Sequence, residues 1–328
     1  MAVVAIGRNE GERLKACLRS LPCDAARIYV DSGSTDGSVA FARSEGVNVV
    51  TLPADAPFTA ALARNAGLAD VRPDAEFVQM VDGDCTLDAG WIDAALVTMR
   101  AEPDLAVVFG RRRERFPDRS VYNRMCDDEW NVPIGEARAC GGDALFRLAP
   151  LLAAGGYDPG LIAGEEPDLC LRLRGAGWRI RRIDAEMTLH DAAMTRFGQW
   201  WRRTERSGHA FAELAWRHRA AADPLWRRET RSIVAWGIAL PLAVVLLAIV
   251  VGWWAGLVVA LVVPVQMARI AWRMRRQGKP PGFAAALGWF LVLGKLAQAK
   301  GLLRYHWRRL TGARASLIEY KGPGASGS

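Results

Sequence analysis

Paired cysteines are the first thing the sequence lacks. Its six cysteines (Cys17, Cys23, Cys85, Cys126, Cys140 and Cys170) form no CxxC and no zinc-like spacing. That excludes a zinc module and reads as reduced, mostly buried thiols in a cytosolic compartment. No GxGxxG follows a strand-like run, which argues against a dinucleotide oxidoreductase. No signal peptide is expected, because Ala2–Ile6 is a short apolar run leading straight into Arg8-Asn9-Glu10. Acidic residues are scarce in one half only. Residues 1–195 carry 22 Lys/Arg against 30 Asp/Glu, a net −8, whereas residues 196–328 carry 21 against 5, a net +16. Charge is absent altogether from Ser232 to Ala268, a run of 37 residues. No ordinary core helix is that long and apolar.

An acidic front half on a basic, apolar rear half suggests a soluble domain at an anionic membrane surface. A nucleic-acid-binding tail is set aside, because the arginines alternate with Trp and Leu around uncharged spans. The uncharged run is near twice the roughly 20 residues that one span needs. Gly252-Trp-Trp-Ala-Gly256 sits in its middle, so two helices are expected, about Ile233–Val251 and Leu257–Trp272. Arg227, Arg228 and Arg231 precede them and Arg273, Arg275 and Arg276 follow. Both basic flanks belong on the cytoplasmic side, making residues 232–275 a transmembrane hairpin. Phe283–Leu293 is uncharged but short and is followed by Lys295; residues 280–321 read as an interfacial or re-entrant helix and basic tail. Phe197–Arg219, heavy in Trp and Arg, reads as an amphipathic interface helix within residues 196–231. Gly322–Ser328 is of low complexity and reads as disordered.

The front half, residues 1–195, alternates short β-branched runs with helical spacing. Ala2–Ile6, Arg27–Asp31, Val47–Thr51, Phe77–Val81, Leu105–Phe109 and Trp178–Ile183 read as strands. Glu10–Leu21, Gly37–Glu45, Thr59–Leu68, Asp88–Arg100, Asp143–Ala153 and Pro167–Gly175 read as helices, and Arg111–Asn131 as a charged loop. The fold class is α/β with a mostly parallel sheet.

Val81-Asp82-Gly83-Asp84 ends one predicted strand. Two carboxylates spaced by one glycine, where a parallel sheet presents ligands, suit a divalent ion held between protein and diphosphate. The same triplet also suits a solvated turn. Ile6-Gly-Arg-Asn-Glu10 and Val30-Asp31-Ser-Gly-Ser-Thr-Asp-Gly37 follow the first two strands, where a nucleotide meets backbone N–H groups and helix N-termini. Ser34-Thr35-Asp36 serves equally as a helix cap.

The ordered set IGRNEGERL, VDSGSTDGS, ARNAGL, VDGDCTL, CGGDALFR and GEEPDLCLRLR resembles the family 2 glycosyltransferases of GT-A fold over about residues 1–195. HDAAMTRFGQWWRR and the terminal IEYK are similar to membrane-anchored members that build exopolysaccharide or lipid-linked glycans. The resemblance implies inverting transfer of a sugar from a nucleotide, a UDP-sugar first among the candidates, with Mg²⁺ or Mn²⁺ as cofactor. The acceptor it implies is lipid-linked, on a polyprenyl carrier at the cytoplasmic membrane, with the catalytic domain facing the cytoplasm. It places Asn9, Glu10 and Asp31 around the base and ribose and brings Arg64 to the donor. Asp82 touches the ribose or metal, and Asp84 ligates the metal. Gly142 and Asp143 lie beside donor sugar and acceptor. Where the family has Glu-Asp, this chain has Glu165-Glu166, so Glu166 falls at the general-base position with Asp143 as its competitor. His190 completes the metal site or is structural. Gln199-Trp-Trp-Arg202-Arg203 is similar to the QxxRW element of membrane synthases in different order; Arg202 and Arg203 bind acceptor phosphates or anchor at the interface. A nucleotidyltransferase would want a basic, glycine-rich first loop and no membrane anchor, and a non-catalytic scaffold would not keep these carboxylates.

Overall fold

The computed structural model describes residues 1–53, 59–221 and 224–312; the predicted tail Gly322–Ser328 and the IEYK segment lie outside them. The described chain divides into two compact units at Ala193/Met194.

The amino-terminal unit is built on one sheet. Its strands are β1 Ala2–Gly7, β2 Ala26–Asp31, β3 Asn48–Thr51, β4 Phe77–Asp82, β5 Cys85–Leu87, β6 Leu105–Glu114, β7 Gly135–Glu136, β8 Ala144–Arg147 and β9 Arg179–His190. They run in the order β3-β2-β1-β4-β8-β6-β9-β5, with β7 also on β9. Helices α1 Glu12–Ser20, α2 Ser38–Ser44, α3 Ala60–Ala69, α4 Trp91–Ala101, α5 Val121–Glu129, α6 Leu148–Ala153 and α7 Glu165–Gly175 connect them. β1 pairs in parallel with both β2 and β4. Val3, Val4 and Ala5 are buried on both faces, which explains why these runs are continuously apolar and do not alternate. The antiparallel members β8 and β5 make the sheet mixed.

Two sequence expectations are corrected here. Residues 111–131 are not a loop: β6 continues to Glu114, and α5 follows after a short 3₁₀ turn at Pro117–Arg119. The arginines of Gly110-Arg-Arg-Arg-Glu114 are tolerated in a strand because carboxylates receive them, Arg111 on Asp127 at 2.9 Å and Arg113 on Glu186 at 2.6 Å. Asp143–Ala153 is not one helix. Ala144–Arg147 forms β8 between β4 and β6, and only Leu148–Ala153 is helical. A short apolar run is ambiguous by periodicity, and the gap between two strands decided it.

The carboxy-terminal unit is helical: α8 Phe197–Arg217, α9 Arg227–Val234, α10 Leu240–Val250, α11 Trp253–Ala260, α12 Val262–Arg276 and α13 Pro281–Thr311. A π turn, Ala235–Ala239, joins α9 to α10 without a break. Three stretches are long and apolar enough to cross a bilayer: Arg227–Val250, Trp253–Arg276 and Pro281–Thr311, with mean hydropathy 2.8, 1.7 and 1.4. The stretch expected to be a short interfacial or re-entrant segment is thus one continuous helix of 31 residues. It differs from the other two in its surroundings, being 39% buried inside the protein against 6% and 11%.

The contacts of α13 lie along the basic ends of the other two stretches. Gly288 meets the Met267 carbonyl, two residues before Arg269, and Gly237, six residues after Arg231, meets the Lys295 carbonyl. Farther along, a Cβ at Gly301 would overlap the Glu205 carbonyl, and one at Gly208 the Gln298 carbonyl. The backbones of α8 and α13 can approach this closely only because both positions carry hydrogen. Gly301→Leu is expected to destabilise the purified chain by about 1–3 kcal/mol or more through overpacking. The measurement is the midpoint of thermal unfolding in detergent, and an unchanged midpoint would dismiss the close approach.

Candidate active site

Strand register assembles the acidic cluster. β5 lies on β9 with Cys85 opposite His190, and β6 lies on β9 with Glu114 opposite the same histidine. His190 is thereby delivered between two carboxylates, with Nε2 3.1 Å from Asp84 Oδ2 and Nδ1 3.6 Å from Glu114 Oε2. All three residues are buried. Glu114 is fixed in turn by the Asn123 side chain at 3.1 Å and the Ala192 N–H at 3.0 Å. At 3.6 Å, Glu114 is a charged neighbour of His190 Nδ1 and not its hydrogen-bond partner. Asp84, Cys85 and His190 bring ligand atoms within 4.8 Å of one another, as do Asp82, Cys85 and Asp143. Burial pushes the Cys85 thiol's pKa up, which leaves the carboxylate and imidazole groups as the candidate donors. That donor set fits a divalent cation, and imidazole beside carboxylate suits Mn²⁺ better than Mg²⁺.

Two arginines organise the other carboxylates. Arg64, from α3, is buried and reaches Asp82 at 2.9 Å, Glu165 at 3.0 Å and Glu166 at 2.9 Å. Arg112, from β6, reaches Asp82 at 3.3 Å and Asp143 at 3.6 Å, with its guanidinium over the Trp130 ring at 4.9 Å. Burial alone would raise the pKa of Asp82, but Arg64 and Arg112 overcome it and hold the carboxyl below its usual range. Asp143 is engaged at both oxygens: one accepts the Asp82 N–H at 2.9 Å, the other the Thr188 hydroxyl at 2.8 Å. Gly142 is glycine for lack of room, since a Cβ there would lie 2.5 Å from Arg64 Nη2 and 2.7 Å from Asp82 Oδ2.

Glu165 and Glu166 open α7, in whose first turn Asp168 also lies. A helix N-terminus favours such charges, yet burial and the neighbouring Glu165 push the Glu166 carboxyl up to about 7. Arg64 opposes this rise but divides its charge among three carboxylates. Asp168 is engaged elsewhere, accepting from Arg172 at 2.8 Å.

Beyond β1 and β2, two loops are tied to each other. The Asn9 N–H donates to Ser34 Oγ at 2.9 Å, and Asn9 Oδ1 accepts the Thr35 N–H at 2.7 Å. Asn9 has φ 54, a conformation asparagine tolerates better than most residues. Asp31 accepts the Gly33 and Ser34 N–H groups at 3.0 and 2.8 Å and the Tyr29 hydroxyl at 2.9 Å, so it shapes the loop. Glu10 pairs with Arg13 at 2.7 Å. Arg202 and Arg203 stand on α8, in the carboxy-terminal unit. Four residues escaped the sequence reading: Arg112, Glu114, Trp130 and Thr188. Alternation along Arg112-Arg-Glu114, which places 112 and 114 on one face of a strand, was the available signal for two of them. A cavity of about 500 Å³ bounded by Met1, Pro22, Glu76, Phe77 and Asp88 lies at the other ends of β1 and β4 and holds none of these groups.

With this geometry in hand, comparison with known proteins is specific. Residues 3–141 match the family model described as glycosyl transferase family 2. The pre-mycofactocin glycosyltransferases of two Mycobacterium tuberculosis strains are 29% identical over 176 residues, 50% of this chain and 37% of theirs. The chain thus matches little more than a third of the length of these curated relatives. A mannosyltransferase from Pyrobaculum calidifontis, solved with GDP-Man and Mn²⁺, superposes with a TM-score of 0.60 at 16% identity. The superposition covers 94% of this chain and 87% of that one. The fold is GT-A.

Proposed function

We propose that the amino-terminal unit, a family 2 glycosyltransferase domain by its match over residues 3–141, moves a sugar with inversion from a nucleotide donor to a lipid-linked acceptor. The observation that carries this reading is the division of labour among the buried carboxylates. Asp84 and His190 form one group, Asp82 and Asp143 are held by two arginines, and the Glu166 carboxyl is raised to about 7. A base works best with a pKa near the operating pH. Glu166 takes the proton from the acceptor hydroxyl as its oxygen bonds to the anomeric carbon and the bond to the diphosphate breaks. Asp143, spent on the Asp82 N–H and Thr188, positions the strand ends and takes no proton. Asp84 and His190 would hold a Mg²⁺ or Mn²⁺ ion, which when bound would supply charge neutralisation at the departing diphosphate. Asn9, Glu10 and Asp31 shape the loops that receive the nucleotide, and Gly142 and Glu165 border the sugar.

The acceptor reading rests on the second unit. Two apolar stretches with basic flanks suit a hairpin whose ends face the cytoplasm, which supports the reading of a chain in the cytoplasmic membrane acting on polyprenyl-linked substrates. Arg202 and Arg203, on α8, are assigned to acceptor phosphates in this reading. A nucleic-acid partner is not expected.

Ligand-dependent thermal stabilisation of the purified chain is the test, with UDP, GDP and their sugars, each with and without Mn²⁺. A bound nucleotide at 100 times its Kd contributes about 2.7 kcal/mol, a shift of several degrees that should appear for a UDP-sugar with metal and shrink without it. No shift with any nucleotide would leave the domain a non-catalytic scaffold.

A further inference from the structure

The carboxy-terminal unit holds a cationic feature that sugar transfer does not use. Trp216, near the end of α8, carries two guanidinium groups on one indole. Arg309 lies 3.7 Å and Arg219 4.4 Å from the ring centroid, and Arg219 also donates to the Trp216 carbonyl at 2.9 Å. Two like charges converge on one ring, and among the described residues neither has an acidic partner. The carboxylates of α8 are committed elsewhere: Glu205 to Lys300 at 2.8 Å and Arg304 at 3.4 Å, Glu213 to Arg217 at 2.7 Å. The excess positive field is felt by the buried His209, which burial together with Arg308, Arg304 and Arg217 pushes down to about 4.

An arginine stacked on an indole has its face covered and its N–H groups left in plane, ready for the oxygens of an anion. The nearby surface decides which anion. Trp307 is 68% and Leu310 76% exposed on the same end of α13, a helix long and apolar enough to enter a bilayer. Indole and leucine beside arginine is the mixture found at the boundary between headgroups and acyl chains. A nucleic acid would gain nothing from exposed leucine. We propose that Trp216, Arg219 and Arg309 form a headgroup site for an anionic phospholipid, the phosphodiester lying between the two guanidinium groups while Trp307 and Leu310 enter the acyl region. This site belongs to the helical unit and does not depend on the reaction proposed above.

Native mass spectrometry of the full chain in detergent tests it, with short-chain phosphatidylglycerol, phosphatidylcholine, inorganic phosphate and a short RNA as separate probes. Phosphatidylglycerol should be retained in preference to phosphatidylcholine, and raising the salt should weaken it. R219A/R309A should lower its apparent affinity by about tenfold or more, since each cation near an anionic surface contributes roughly a kcal/mol. R219K/R309K keeps the charge and should retain more lipid than the alanine pair. Equal retention of the two lipids by the unaltered chain would overturn the proposal without any variant. So would displacement of phosphatidylglycerol by phosphate at millimolar concentration, by RNA, or undiminished binding in R219A/R309A.

Discussion

Glu166→Gln is expected to lower turnover by about 10²–10⁴-fold, the usual cost of losing a general base, with donor affinity nearly unchanged. The amide keeps the shape of the side chain and its place beside Arg64, so the nucleotide site should survive while the proton acceptor is lost. The pH profile gives an independent reading. A base that burial raises to about 7 is protonated and idle in acid, so kcat should fall as pH drops below about 7. In Glu166→Gln the residual rate should lose that limb. Asp82 cannot supply it, because its carboxyl is held low and stays ionised throughout. Glu166→Asp, which restores the residue usual in the resembling family, should keep appreciable activity. Normal turnover by Glu166→Gln together with a dead Asp143→Asn variant that still binds donor would transfer the role to Asp143.

Asp84→Ala is expected to abolish metal-dependent nucleotide binding. Loss of a mere outer-shell partner costs ~10–100-fold in metal affinity, so removing a ligand should cost at least that. Isothermal calorimetry of UDP binding with and without Mn²⁺ reads it directly, and circular dichroism checks the fold. His190→Ala should behave likewise and Glu114→Gln more mildly, because Glu114 acts on the imidazole from 3.6 Å behind it. Undiminished Mn²⁺-dependent affinity in Asp84→Ala would remove Asp84 from the site.

The sequence carried much of this arrangement, and its failures have a common physical origin. β1, β2 and β4 are buried on both faces, so their apolar runs stand out, and the acidic residues just beyond them are where a parallel sheet presents ligands. Asp82 and Asp84 could therefore be named in advance; Arg64, Glu165 and Glu166 are named through the family resemblance, and Arg64 does reach Asp82 and both glutamates. Arg112 and Glu114 could not, since a run as charged as Arg-Arg-Arg-Glu-Arg looks solvated until its counter-charges are known. Those counter-charges, Asp82, Asp143, Asp127 and Glu186, lie from 16 to 73 residues away in the chain. The same is true of β8, whose four residues are a strand only because β4 and β6 leave a place for them. Local periodicity cannot report a vacancy between distant segments.

The position of β9 has a consequence for biosynthesis. β5 begins at Cys85 and pairs with β9, which begins at Arg179, 94 residues later. At 5–20 residues per second the ribosome takes about 5–20 s over that interval. Throughout it β5 waits as an unpaired edge, which is a hazard for association with other chains. His190 is the last residue of β9, so Asp84 meets its partner only when the strand is complete. The apolar stretch from residue 233 is made after it, once α8, Phe197–Arg217, has followed. On the proposed membrane reading, completion of the sheet and delivery of the apolar stretches to a bilayer would be successive events on one nascent chain, and slowing translation just after His190 would favour the first before the second begins.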